Sequence, residues 1–196
     1  MNINYRPEID GLRAISIISV VIYHAQLKLN NNVIFSGGFL GVDIFFVISG
    51  YLICSIIFKE LLEKKSFSFK NFFVRRARRI LPALIFLIFV SSFFSYFILQ
   101  PSALNNFSKS SISSIFFSSN IFFWQIDSMY MAESQLLSPL LHTWSLSVEE
   151  QFYLFFPVVI FLIFKIDKKF LFSFILLLMF LSIFSIWYGS KNHIIF

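Results

Sequence analysis

The sequence predicts an all-α fold, a polytopic transmembrane helix bundle with about five full spans and one short re-entrant or extra span. Three observations predict it. The 196 residues are 58% hydrophobic, with a mean hydropathy of +0.80. Only 13% are charged, against roughly 25% in soluble domains. The apolar residues gather into runs of the length needed to cross a bilayer, about 20 residues each.

The first run, 12–29, has Arg13 and Lys28 only near its ends, and His24 within it. The second, 39–58, carries Asp43 just after Gly37, Gly38 and Gly41. Those glycines allow a sharp entry and close helix contact. The third, 80–99, has no charged residue and follows Arg75-Arg76-Ala77-Arg78-Arg79. Pro82 there suits a helix's first turn. A short, Ser-rich apolar piece, 111–124, is in the length range of a re-entrant or interfacial segment. The fourth full run, 148–164, opens on Glu149 and Glu150, and the fifth, 170–188, is free of charge. No internal repeat is visible.

Charge placement sets the expected orientation. Eight of the sixteen Lys and Arg residues lie between Lys59 and Arg79. This is a positive-inside signal for a cytoplasmic loop and argues against nucleic acid as a partner. It puts the N-terminus inside and Asn30–Gly38 outside. Lys165, Lys168 and Lys169 make the turn between the last two spans cytoplasmic as well. Both hold if 111–124 does not cross, so that 101–147 starts and ends outside; a crossing by 111–124 is the alternative. Arg6, Glu8, Asp10 and Arg13 precede the first run and no Ala-x-Ala pattern follows it, which excludes a cleavable signal peptide. The lone Cys54 cannot form an intrachain disulfide and reads as a packing residue.

Ionisable groups in such segments are costly, so each is a functional candidate. Arg13 and His24 are eleven residues apart. At about 100° per residue they return to within about 20° of one direction, some 16 Å apart along the axis. Asp10 falls on nearly the same stripe. This arrangement predicts charge at one end of a helix and an acid or base part-way through the membrane. Histidine is suited to general-base work near neutral pH. Asp43, if buried, needs a partner such as His24 or a backbone nest. The Arg75–Arg79 run reads first as a cytoplasmic anchor. Its use of Arg, where the preceding loop uses Lys, also suits bidentate phosphate recognition. In HTWSLSVEEQFY, residues 142–153, helical spacing aligns His142, Ser145, Glu149 and Tyr153. A serine-hydrolase reading of Ser145 lacks a G-x-S-x-G elbow.

Four stretches together resemble the acyltransferase-3 family of integral-membrane O-acyltransferases, which includes bacterial O-antigen and peptidoglycan O-acetylases. They are YRPEIDGLRAISIISVVIYH (5–24), GGFLGVDIFFVISGYLI (37–53), FFVRRARRILPAL (72–84) and HTWSLSVEEQFYLFFP (142–157). The resemblance implies transfer of an acyl group, usually acetyl, from cytoplasmic acyl-coenzyme A to a hydroxyl of a cell-envelope carbohydrate such as lipopolysaccharide or peptidoglycan. It implies a location in the bacterial inner membrane, among lipid, with no bound cofactor and no metal. The family's Arg-x10-His pattern falls on Arg13 and His24. Its Arg-x-x-Arg pattern falls on Arg76 and Arg79, with Arg75 and Arg78 equally spaced. Its essential Glu falls on Glu149. The expected catalytic set is thus His24, Glu149 and Asp43, and the expected donor-binding set is Arg13, Arg75, Arg76, Arg78 and Arg79. The family's membrane domain continues through further helices, so residues 1–196 read as its N-terminal part, without the SGNH-type extracytoplasmic domain that related proteins carry. Two other readings are a non-catalytic polytopic protein, such as a transporter of a lipid-linked sugar, and an inactive fragment.

Overall fold

The computed structural model describes residues 6–29, 32–33, 35–129, 138–166 and 169–191. The chain forms two compact units, Met1–Tyr153 and Leu154–Phe196. The described residues are almost wholly helical, as expected of an all-α bundle.

In the first unit, α1 runs Pro7–His24, with proline at its start and Glu8 and Asp10 in its first turn, both favoured by the orphan N–H groups and the dipole there. It ends sooner than the expected 12–29 span. The chain turns at Ala25, and Gln26 takes a left-handed φ of 49°. A two-residue antiparallel ladder follows, Lys28–Leu29 with Asn32–Val33. His24 is therefore the last residue of α1, at the helix end and exposed, rather than part-way along a longer span.

A 3-10 turn, Ser36–Phe39, leads into α2, Leu40–Lys64. The expected close approach occurs here. A Cβ at Gly38 would collide with the Ser19 carbonyl oxygen and Tyr23 Cβ, and one at Gly41 with the Ser16 carbonyl oxygen and Val20. Among the described residues nothing stands within 4 Å of a Cβ at Gly37. Small residues let two backbones meet where side chains would hold them apart.

Helix α2 stops at Lys65, whose φ of 52° is left-handed, and α3 begins only four residues later, at Phe69, and runs to Ile98. The expected basic loop of 59–79 is thus mostly helix. Arginine is a good helix former, so the cluster extends the span instead of preceding it. Pro82 lies inside α3, not in its first turn; with no N–H, it leaves the carbonyl of Arg78 without its helical donor.

The 111–124 piece is divided between α4, Pro101–Ile115, and α5, Ser119–Met129. Between them Ser118 N–H bonds to Ser113 O and Phe117 N–H to Ser114 O, with Phe117 at φ 51°. This is a Schellman-type stop with phenylalanine where glycine is usual. Neither helix has the length of a span. α6, Thr143–Ile166, contributes its first part, to Tyr153, to this unit.

The second unit holds the rest of α6 and α7, Lys169–Lys191. Phe172, Phe180 and Ile186 of α7 are more than two-thirds exposed, an apolar surface of the kind lipid covers. Among the described residues, four segments are long and apolar enough to cross a membrane: Ser36–Lys64, Phe69–Ile98, Thr143–Ile166 and Phe170–Gly189. α1, with Glu8, Asp10 and Arg13 in its 18 residues, is not among them.

Candidate functional site: two cavities along one helix pair

Two cavities lie along α1 and α2 in the first unit, at opposite ends of the pair. One is lined by the start of α1, the second half of α2 and the first half of α3; its volume is about 350 Å³. It gathers four guanidiniums, Arg6, Arg13, Arg76 and Arg79, and a single carboxylate, Asp10. The helical offset decides which arginines of the run take part. Arg76 and Arg79 share a face and line the cavity, whereas Arg75 and Arg78 do not line it and are exposed. Arg6 was missed by sequence reasoning; it donates to the Tyr51 hydroxyl at 3.0 Å. The signal for it, a cation one residue before a helix-starting proline, is too common to single out.

Arg13 is held but not satisfied. Its Nη1 stands 3.9 Å from Asp10 Oδ1, its guanidinium lies 5.8 Å from the Phe45 ring centroid, and its buried Nε has no hydrogen-bond partner among the described residues. A buried guanidinium N–H without an acceptor is costly. An oxyanion entering the cavity would supply one, and arginine's fork matches phosphate bidentately.

The other cavity, about 340 Å³, is lined by the second half of α1, the first turns of α2 and the start of α6. Ser16, Val20, Gly41, Phe45 and Phe46 form much of its wall, and His142, Ser145 and Glu149 give it a polar side. The expected helical alignment of these three with Tyr153 holds: all three face the cavity, and the Tyr153 hydroxyl donates to Glu149 Oε1 one turn away. Ser145 donates to the His142 carbonyl at 3.1 Å, so its hydroxyl proton is engaged locally rather than given to an imidazole.

His24 is one turn past Val21 on α1 and does not itself line this cavity. It lies close enough to His142 to affect its titration. The His142 imidazole is held below its ordinary value, by burial first and by the charge of His24 second. Asp43 is exposed and lines neither cavity. It does not need the buried partner its sequence context suggested, and among the described residues no hydrogen bond or ion pair joins it to His24 or Glu149. Glu150, which the family pattern does not mark, is half-buried, and its Oε1 has no partner among the described residues.

The two cavities are linked by side chains. The Arg76 guanidinium, at the cationic cavity, lies over the Tyr153 ring, 4.6 Å from its centroid, and Tyr153 holds Glu149 of the second cavity. One end of the helix pair can therefore hold an anion while a carboxylate, an imidazole and a hydroxyl face an apolar chamber at the other.

Residues 6–195 match the family described as Acyltransferase domain. The chain is similar to the O-acetyltransferase OatA of Staphylococcus aureus (strain NCTC 8325 / PS 47), 43% identical over 157 residues, covering 80% of this chain and 25% of that protein. It is also similar to a putative O-acetyltransferase of Staphylococcus aureus (strain MSSA476), 40% identical over 172 residues, 87% of this chain and 27% of the relative. The chain thus spans about a quarter of the length of these curated relatives. No solved structure matches it. With its apolar helices and its match over almost the whole length, this multi-pass membrane chain belongs to the acyltransferase-3 family of integral-membrane O-acyltransferases.

Proposed function

We propose that the protein is an O-acetyltransferase of the bacterial inner membrane that moves an acetyl group from cytoplasmic acyl-coenzyme A to a hydroxyl of a cell-envelope carbohydrate. The observation that carries this reading is the pair of cavities joined through Arg76, Tyr153 and Glu149. The donor's phosphates suit the four-arginine cavity, and its long arm can lead the thioester along α1 and α2 to the apolar chamber. The positive-inside pattern supports an orientation with the start of α1 and the arginine cavity at the cytoplasmic side and the start of α6 at the outer side.

The reaction then needs a base, an oriented acceptor and a leaving thiolate. His24 takes the proton of the acceptor hydroxyl as that oxygen bonds the acyl carbon. The carbon–sulfur bond breaks, and the proton passes from the imidazole to the coenzyme A thiolate. Glu149 faces the chamber, where a carboxylate can orient a histidine, as carboxylates do in other acyl-transfer sites. Asp43, which like His24 is exposed and outside the chamber's lining, is assigned no step.

Incubating membranes with labelled acetyl-coenzyme A and following label into envelope carbohydrate tests the proposal. Incorporation in wild type and its loss in His24→Ala at equal protein levels is the expected result. Label that never leaves the coenzyme, or transfer that is undiminished in His24→Ala, would overturn it.

A further inference from the structure

A second set of polar residues lies on α6, on the side away from the chamber. Thr143, Ser147 and Gln151 are spaced by four, so they form one stripe. Glu149 and Ser145 are each two residues from Ser147, or about 200° around the helix. Each residue of the stripe meets a partner on α4, α5 or the turn between them. Thr143 Oγ1 is 2.8 Å from Ser114 Oγ and 3.1 Å from Ser119 Oγ. Ser147 Oγ is 2.7 Å from Ser119 Oγ and accepts from Ser119 N–H at 3.2 Å. Gln151 exchanges amide hydrogen bonds with Asn120, at 3.0 and 3.3 Å, and donates to the Phe117 carbonyl at 2.8 Å. Ser114, Ser119, Thr143 and Ser147 are all at most 2% exposed.

From this geometry we propose that Thr143, Ser147 and Gln151 are positioning residues, which fix the rotation and height of α6 so that Glu149, Ser145 and His142 face the chamber. Apolar packing tolerates small rotations and slips, because one methyl contact resembles the next. Three directional rungs do not. A turn of α6 by one residue, about 100°, would break all three and carry Glu149 away from the cavity. In a water-excluded setting the broken groups would find no solvent to replace their partners. The left-handed Phe117 belongs to the same device, since the turn it makes presents its carbonyl to Gln151.

The inference about catalysis rests on the acyl-transfer reading, so its test has one arm that does not. The first arm places cysteine at Ser145 in the full chain with Cys54→Ser, and follows its reaction with a small thiol reagent through the chamber. Adding Thr143→Val or Gln151→Met should change that rate at least ~5-fold, and adding Thr143→Ser should leave it as it was. The second arm measures transfer with Ser145 intact. Thr143→Val and Gln151→Met should each lower kcat by roughly 10–10²-fold, the scale of a misplaced reacting group. Donor KM should stay close to wild type, melting temperature should fall only by the modest amount that a lost buried hydrogen bond costs, and Thr143→Ser should restore most of both kcat and melting temperature. Unchanged thiol rates overturn the proposal. So does a loss of kcat that disappears when rates are normalised to folded protein, or that Thr143→Ser does not rescue, which marks a merely structural bond. A wild type that transfers nothing, with thiol rates still set by the rungs, refutes the enzymatic reading and leaves the control of α6 standing.

Discussion

The guanidinium of Arg76 lies 4.6 Å from the centroid of the Tyr153 ring, although 77 positions separate them in the chain. Arg76 belongs to the cationic cavity, and the Tyr153 hydroxyl reaches Glu149 in the apolar one. One aromatic ring is thus in contact with both ends of the proposed donor path, and its two contacts can be removed separately.

Tyr153→Phe keeps the ring beneath Arg76 and deletes the bond to Glu149. It should lower kcat about 10–10²-fold, the worth of a hydrogen bond to a charged group, with donor KM little changed. Tyr153→Leu removes the ring as well, and a desolvated cation–π contact of about 2 kcal/mol with it. Donor KM should then rise too. Steady-state kinetics on both variants checks the split; equal KM effects would disconnect the ring from donor binding.

The arginine run offers an internal control. Arg76→Lys and Arg79→Lys keep the charge but lose the fork, so each should raise the KM for acyl-coenzyme A severalfold. Arg75→Lys and Arg78→Lys, on residues that do not line the cavity, should match wild type. Donor titrations across the four variants measure this. A uniform response of all four would make the run an anchor and nothing more.

How much of this was legible in the sequence depends on the range of each signal. The alignment of His142, Ser145, Glu149 and Tyr153 rests on helical spacing alone, and it holds. The Gly38 and Gly41 contacts were legible for the same reason, since close approach demands glycine locally. Helix limits were not. Nothing in hydropathy marks Gln26 as the residue that turns left-handed and leaves His24 at a helix end, or shows that α3 starts eleven residues before its apolar run. Asp43 reads as buried from its apolar run, but which face of α2 is covered is set by the neighbouring helices, and it is exposed. The hydroxyl rungs were invisible, because serines scattered over α4, α5 and α6 acquire meaning only when those helices meet.

Gly41→Ala should destabilise the α1–α2 contact by about 1–3 kcal/mol, the usual cost of overpacking, since its Cβ meets the Ser16 carbonyl. Gly37→Ala should be neutral, for that position is open and has no left-handed φ. Thermal unfolding in detergent compares them. Equal melting temperatures for the two variants would show that the backbones can separate at no cost.

His142 is held below its ordinary pKa of 6.5 by burial and by the charge of His24. A depressed folded value means the folded chain binds its proton less readily than the unfolded chain. The neutral imidazole therefore persists below pH 6.5, and the associated stability is lost as pH falls through the folded value. Removing the second cause with His24→Gln should move the titration upward, toward 6.5. With His193 replaced, the pH dependence of modification by diethylpyrocarbonate reads His142 alone in that variant. An unchanged midpoint relative to the value fitted for the two-histidine protein would place His24 too far away to act on it.

The proposed orientation puts the start of α6 outside, because Lys165 and the lysines after it pull the far end of that helix inward. Ser138 lies in the turn before α6, so it reports the side on which Glu149 enters the membrane. With Cys54 replaced, Ser138→Cys should react with an impermeant thiol reagent added to cells whose inner membrane is intact. Labelling that appears only after the inner membrane is broken would reverse α6. The Arg76–Tyr153 contact would survive that result, since it belongs to the fold. The path from a cytoplasmic donor to an outer acceptor would not, because the Glu149 chamber would then open on the wrong side of the membrane.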